Sequence, residues 1–110
     1  SEVSRRWGTA TLRQAVDDAI AAGELTDRVP PSALAETVYA VWANAALSWA
    51  HHAFNDEEFN VAALHALYLA LFAVATDDTR PRIERALDDT GRRLAAALDP
   101  AANPPARRTA

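Results

Sequence analysis

Few residues in this 110-residue chain combine the type and spacing that chemistry requires. His51 and His52 are adjacent, so on a helix they would point about 100 degrees apart and could not easily bind one metal ion. The sequence holds no Glu-x-x-His pair, no His-Glu-x-x-His motif and no glycine-rich phosphate loop. Ser48 lies inside a helical pattern, whereas an activated serine needs a sharp turn. We therefore expect no enzyme, no metal site and no cofactor.

Two tryptophans offer a binding surface rather than a reactive one. Trp42 and Trp49 lie two helical turns apart, on a face that they share with Val38 and Val41. Indole rings supply a large rigid apolar surface and one N–H donor, so these four residues are the candidate ligand-binding site. Most such stripes are simply core, and the spacing alone leaves a pocket and a packed core both open.

The charge pattern argues against direct contact with nucleic acid. The net charge is -4, and the basic residues are eleven arginines in scattered positions, without the basic stripe that a nucleic-acid binder usually shows. No cysteine and no signal-peptide pattern are present, so we expect a cytoplasmic protein. The longest apolar run has fifteen residues, fewer than the roughly 20 that span a bilayer, so no membrane partner is expected.

The apolar periodicity predicts an all-α fold with four helices, because alanine favours helix and the prolines and glycines fall between periodic runs. The first helix should end at Gly23, the second should span 31–54, the third 56–75, and the fourth should begin near Pro81. Asn55 and Glu58 have the spacing of a capping box. Residues 1–99 are thus one helical domain, and 100–110 are expected to be a disordered tail.

The predicted third helix contains the run VAALHALYLALFAVA, which has little polar surface on any side. Projection onto a helix gives one face of large residues for the domain's own core and an opposite face of small residues. The core face consists of Val61, Leu64, Leu67, Tyr68, Leu71 and Phe72. We call the opposite face the alanine stripe; it consists of Ala62, Ala66, Leu69, Ala70 and Ala73.

Two interpretations of the alanine stripe stay open. Methyl groups in water cost little, so the stripe can simply be exposed. Small residues also let helices approach closely, and the second segment offers a matching set at Ala43, Ala46 and Ala50, so a second copy is the preferred cover. His65 lies at the margin of the stripe, either as a hydrogen-bonded residue of a packed interface or as a ligand or pH contact.

The stretch LRQAVDDAIAAGELTDRVPPSALAETVYAVWANAALSWA resembles the C-terminal regulatory domain of TetR-family transcriptional repressors, and LYLALFAVATDDTRPRIERAL continues the similarity. The resemblance covers about residues 10–90. It implies an all-helical bacterial domain that forms a homodimer through a four-helix bundle made by two helices of each subunit. It also implies a pocket beside the bundle for a small-molecule effector, and the indoles of Trp42 and Trp49 make a hydrophobic or aromatic effector the expected one.

Carried over to this chain, the resemblance makes 31–54 and 56–75 the bundle helices. The implied dimer interface comprises Tyr39, Ala43, Ala46, Ala50, Ala62, His65, Ala66, Leu69, Ala70 and Ala73. The chain has Asn44-Ala45 and Ala73-Val74 where the family commonly has glycine, so the interhelix approach differs. No helix-turn-helix precedes Ser1, so DNA would be bound only through a domain outside this chain. We expect a piece of a longer repressor; the alternative is a stand-alone helical dimerisation module with a filled core and no ligand.

Overall fold

The computed structural model of the chain describes residues 2–99 and 101, with Ser4 described by its backbone alone. It is all-α. The helices are α1 (Glu2–Ala21), α2 (Pro31–Ala50), α3 (Asp56–Phe72) and α4 (Arg80–Ala97). The predicted all-α class and the predicted number of four helices are therefore confirmed for this part of the chain. The predicted disordered tail lies, except for residue 101, outside the described residues.

The first helix is longer than its apolar pattern alone indicates. It begins at Glu2 and continues through Gly8, which neither breaks it nor precedes it. Gly23 follows the helix end with a φ of 77°, the left-handed conformation that glycine adopts without a Cβ clash. The glycine predicted to end the helix therefore does so.

The second helix begins at Pro31, whose missing N–H is not needed in the first turn. It ends at Ala50, four residues earlier than predicted. The chain turns sharply after it, and His52 has a φ of 63°. The corner leads into Asn55, whose side chain accepts from the Glu58 N–H at 2.8 Å while the Glu58 carboxylate accepts from the Asn55 N–H at 3.0 Å. The predicted capping box is present and sets the start of α3.

The third helix ends at Phe72, short of the predicted residue 75. Its last predicted residues instead pair with the α1–α2 connection. Leu25 and Ala75 form an isolated antiparallel bridge, in which the Thr26 N–H donates to the Val74 carbonyl at 2.7 Å and the Thr76 N–H donates to the Glu24 carbonyl at 3.1 Å. A contact between residues 50 positions apart thus ends a helix that the local apolar pattern would continue.

The helices pack in chain order: α2 packs on both α1 and α3, and α4 packs on α3. The Cα atoms extend over 47 × 36 × 15 Å, so the molecule is flat. The bridge holds the C-terminal ends of α1 and α3 together; we call this region, which comprises residues 22–26 and 73–76, the loop end. The opposite region, around Trp7, Trp42 and Phe59, is the open end.

The hydrophobic core lies at the loop end. Its buried members are Val16, Leu25, Leu34 and Val74, and partly buried side chains including Ile20, Val38 and Leu71 pack around them. The Thr76 hydroxyl, which donates to the Gly23 carbonyl at 2.8 Å, fastens the two connections beside this core. The core therefore depends on residues from α1, α2 and α3, and on the α1–α2 and α3–α4 connections.

The fourth helix packs on the side of α3 that faces away from α2. It buries Ile83 and Thr90, whereas its outer face carries most of its charged residues. The His65 Nδ1 lies 3.0 Å from the Thr90 hydroxyl, which itself donates to the Ala86 carbonyl at 2.9 Å. A Cβ at Gly91 would lie 3.2 Å from the His65 ring, so the glycine makes room for the imidazole. One side of the apolar run in α3 is thus covered by α4.

Candidate functional site

A cleft of about 910 Å³ lies between α1, α2 and α3 toward the open end. Volumes of this order are typical of small-molecule sites, about 300–1,000 Å³. Side chains from α1 and α3 form the two walls, and the α2 residues lie between them. The lining residues are Val3, Trp7, Gly8, Thr11, Leu12, Val38, Tyr39, Val41, Trp42, Phe59, Asn60, Ala63, Leu64 and Leu67.

The cleft exposes large apolar side chains that a filled core would bury. Trp7 is 73% exposed, Trp42 49% and Leu64 40%, and each comes from a different helix. Contiguous apolar surface of this kind marks binding sites more often than isolated exposed residues do. The deep end of the cleft, at Leu12 and Val38, adjoins the core, since Val38 packs against it.

Gly8 shapes the wall that α1 contributes. A Cβ at this position would lie 2.6 Å from Cε2 of Tyr39, so the helix backbone and the phenol ring pack directly on each other. The Tyr39 ring in turn contacts Trp42, with ring centroids 6.0 Å apart and planes tilted by 45°. The aromatic surface of the cleft is therefore held by a close approach that glycine permits.

Three of the four residues predicted to bind ligand, Val38, Val41 and Trp42, line the cleft. Trp49 does not. Its ring stacks on Phe59 with centroids 5.6 Å apart, and its Nε1–H donates to Asp56 Oδ1 at 2.7 Å. Trp49 therefore joins α2 to the start of α3. It lines a second, more polar hollow together with His52 and Glu57.

The walls from α1 and α3 were missed by sequence reasoning. Trp7 and Thr11 stand four residues apart, a spacing that puts both on one helix face and that could have identified the α1 wall. Leu64 and Leu67, which the helical projection predicts for the domain's own core, line the cleft. The sequence gives no local signal that α1 and α3 leave space between them.

The residues of the predicted dimer interface occupy several environments. Tyr39 packs on Gly8 of α1, His65 contacts α4, and Ala70 packs against the core. On the remainder of the alanine stripe, Leu69 is 53% exposed and Ala73 is exposed, while Ala62 and Ala66 are half-buried. On α2, Ala43 and Ala46 are half-buried and Ala50 is exposed.

The described residues add neither a metal cluster nor a membrane span to this site. Across the described residues, no three His, Asp or Glu side chains are grouped so that they could hold a metal ion. No helix in the same part of the chain is long and apolar enough to cross a bilayer. Comparison of the chain with protein-family models, with curated proteins and with solved structures found no match.

Proposed function

We propose that this chain is the ligand-sensing and dimerisation domain of a TetR-like transcriptional regulator, which acts in the cytoplasm and controls the DNA binding of a helix-turn-helix domain outside this chain. The observation that carries the sensing part is the open apolar cleft with Trp7, Trp42 and Leu64 exposed on three helices. The regulatory role is inferred from the sequence resemblance to the C-terminal domains of TetR-family repressors. The effector is a small hydrophobic or aromatic molecule.

The cleft offers a physical route from binding to regulation. A ligand that touches Trp7 on α1, Trp42 on α2 and Leu64 on α3 at once favours conformations in which the three helices keep a fixed separation. Only a difference in affinity between two conformations shifts their populations, and typical coupling is about 1–3 kcal/mol. In a dimeric repressor, such a shift changes the spacing of the two DNA-reading heads.

Binding of Nile red, a neutral apolar dye whose fluorescence rises in apolar surroundings, tests the cleft. The wild-type domain should bind the dye saturably, and Trp42→Ala should weaken binding about tenfold, equivalent to about 1.4 kcal/mol. Leu98→Ala is the matched control, because Leu98 is 41% exposed but lies outside the cleft. Equal loss in both variants, or no dye binding by the wild type, would remove the support for sensing.

Dimerisation is tested separately by sedimentation. A variant carrying Ala66→Glu and Leu69→Glu places one charge at a half-buried and one at an exposed position of the alanine stripe. It should sediment as a monomer, whereas the wild type should sediment as a dimer. Ala70 is left unchanged because it packs against the core. A dimer that persists in the charged variant would show that another surface forms the contact.

The stand-alone dimerisation module with a filled core is the competing function, and it predicts no ligand. Dye binding that is lost in Trp42→Ala would argue against it. The gene offers a second discriminator: it should encode a helix-turn-helix ahead of this domain. A gene without one would remove the DNA-binding part of the proposal while leaving the sensing part standing.

A further inference from the structure

The lining of the cleft carries no charged side chain among the described residues, although a quarter of the chain, 24%, is Asp, Glu, Lys or Arg. Charged groups lie close by in sequence, for example Arg5, Arg13 and Glu58, but none of them lines the cleft. A charged ligand entering this space would lose water without gaining a partner of opposite charge, which is strongly unfavourable. The cleft is therefore built for an uncharged molecule.

The polar groups of the lining differ in what they can offer, and they are the Thr11 and Tyr39 hydroxyls, the indole N–H groups of Trp7 and Trp42, and the Asn60 amide. The Thr11 hydroxyl donates to the Trp7 carbonyl at 3.0 Å, so its proton is already used. Among these groups, Asn60 alone carries an N–H donor and a C=O acceptor on one planar group, and within the described part of the chain its side chain makes no hydrogen bond. It lies one residue after Phe59, in the N-terminal part of α3, and is exposed.

The cleft is consequently polarised along its length. Its deep end consists of Leu12 and Val38, beside the core, and offers only apolar contacts. Its open end combines Trp7 and Trp42 with the Asn60 amide. A flat apolar body would lie against the indoles, and its polar end group would meet Asn60.

We propose that the effector is an uncharged aromatic molecule that has a single amide-like or carbonyl end group and binds with that group hydrogen-bonded to Asn60. This inference rests on the proposed function, since it names the ligand class of the same cleft. A primary amide is the best match to Asn60, because each group can donate to and accept from the other.

Three competitors of similar shape test the inference by displacement of Nile red at pH 7.5: 2-naphthamide, 2-naphthoate and 2-ethylnaphthalene. The amide should bind about threefold to tenfold more tightly than the ethyl compound, the usual net gain from one hydrogen bond. The carboxylate should bind at least about tenfold more weakly than the amide, because its charge finds no partner. Asn60→Leu should remove the preference for the amide and leave 2-ethylnaphthalene binding unchanged.

Asn44→Leu is the control, since Asn44 is an exposed asparagine of α2 outside the cleft, and it should keep the wild-type ranking. Carboxylate binding as tight as that of the amide would overturn the inference that the ligand is uncharged. An amide preference that survives Asn60→Leu would overturn the assignment of the polar end. Both results leave the proposed function intact, whereas a wild-type domain that does not bind Nile red overturns the function and the inference together.

Discussion

The two ends of this molecule are built from the same helices but differ in how those helices are joined. At the loop end, the Leu25–Ala75 bridge ties α1 to α3, and Leu34 of α2 is 5% exposed between them. At the open end no such bridge joins α1 to α3 within the described residues, and Trp7 is 73% exposed. The chain therefore packs tightly where the α1–α2 connection pairs with the α3–α4 connection, and it leaves a cleft at the end where no such pairing joins the helices.

The same leucine truncation should have very different effects at the two ends. Leu34→Ala at the loop end should lower the free energy of unfolding by about 2–5 kcal/mol, because it leaves a cavity in the core. Leu64→Ala makes the same chemical change at the open end, where the side chain is 40% exposed, and should cost about 1 kcal/mol or less. Urea unfolding measures both values. Equal losses would mean that the two ends are equally packed.

The next largest effect is expected from the hydrogen bond of the Thr76 hydroxyl, which joins the α3–α4 connection to the α1–α2 connection. Thr76→Val removes the hydroxyl that donates to the Gly23 carbonyl and should cost about 1 kcal/mol. Thr37→Val is the control, because the Thr37 hydroxyl only donates to Ala33 within its own helix, and it should change stability by less than about 0.5 kcal/mol. If urea unfolding gives the same small change for both, the hydroxyl does not hold the loop end together.

Much of the fold could be predicted from the sequence because its signals are local. Pro31 and the Asn55–Glu58 capping box each mark a helix start through residues no more than three positions apart. The early end of α3 could not be predicted, since Val74 and Ala75 are drawn into a bridge with residues about 50 positions away. Local propensity for helix is overridden there by tertiary contact.

The candidate site was predictable only in its α2 portion. Val38, Val41 and Trp42 share a helix face, which a projection of the sequence gives directly. Trp49 shares that face too, but Asp56 and Phe59 of the next helix engage it instead. The walls from α1 and α3 depend on the distance between two helices that are far apart in sequence, and no periodicity encodes that distance.

Gly8→Ala tests whether the contact between α1 and Tyr39 sets the shape of the cleft at the open end. The added Cβ would lie 2.6 Å from the Tyr39 ring, so the ring must leave its position and the cleft wall must change. We expect Nile red to bind about threefold to tenfold more weakly, which corresponds to the roughly 0.5–1.5 kcal/mol of a displaced side chain. Fluorescence titration measures the change.

The double variant Gly8→Ala/Tyr39→Ala shows whether the clash with Tyr39 causes the weaker dye binding. In a Tyr39→Ala domain, the same Gly8→Ala substitution should leave dye affinity unaltered, because the clash is gone. If the glycine substitution still weakens binding there, α1 itself has moved.

The smallest expected effect concerns the ion pair between α4 and the loop end. Arg82 Nη2 lies 3.0 Å from Glu24 Oε2, but the two side chains are 66% and 48% exposed, so solvent screens the pair. Arg82→Gln should lower the free energy of unfolding by less than about 0.5 kcal/mol, and the difference should shrink further in high salt. A loss above 1 kcal/mol, measured by urea unfolding, would show that α4 contributes to holding the loop end.

Methyl NMR is a direct test of the proposal that an uncharged aromatic ligand enters the cleft at the open end. A naphthalene ring shifts the resonances of methyl groups that it touches. On titration with 2-naphthamide, the methyl signals of Val38, Val41, Leu64 and Leu67 should move together with one dissociation constant, while those of Leu47, Leu69 and Leu98 stay in place. Shifts confined to the second group, or none in the first, would contradict the claim.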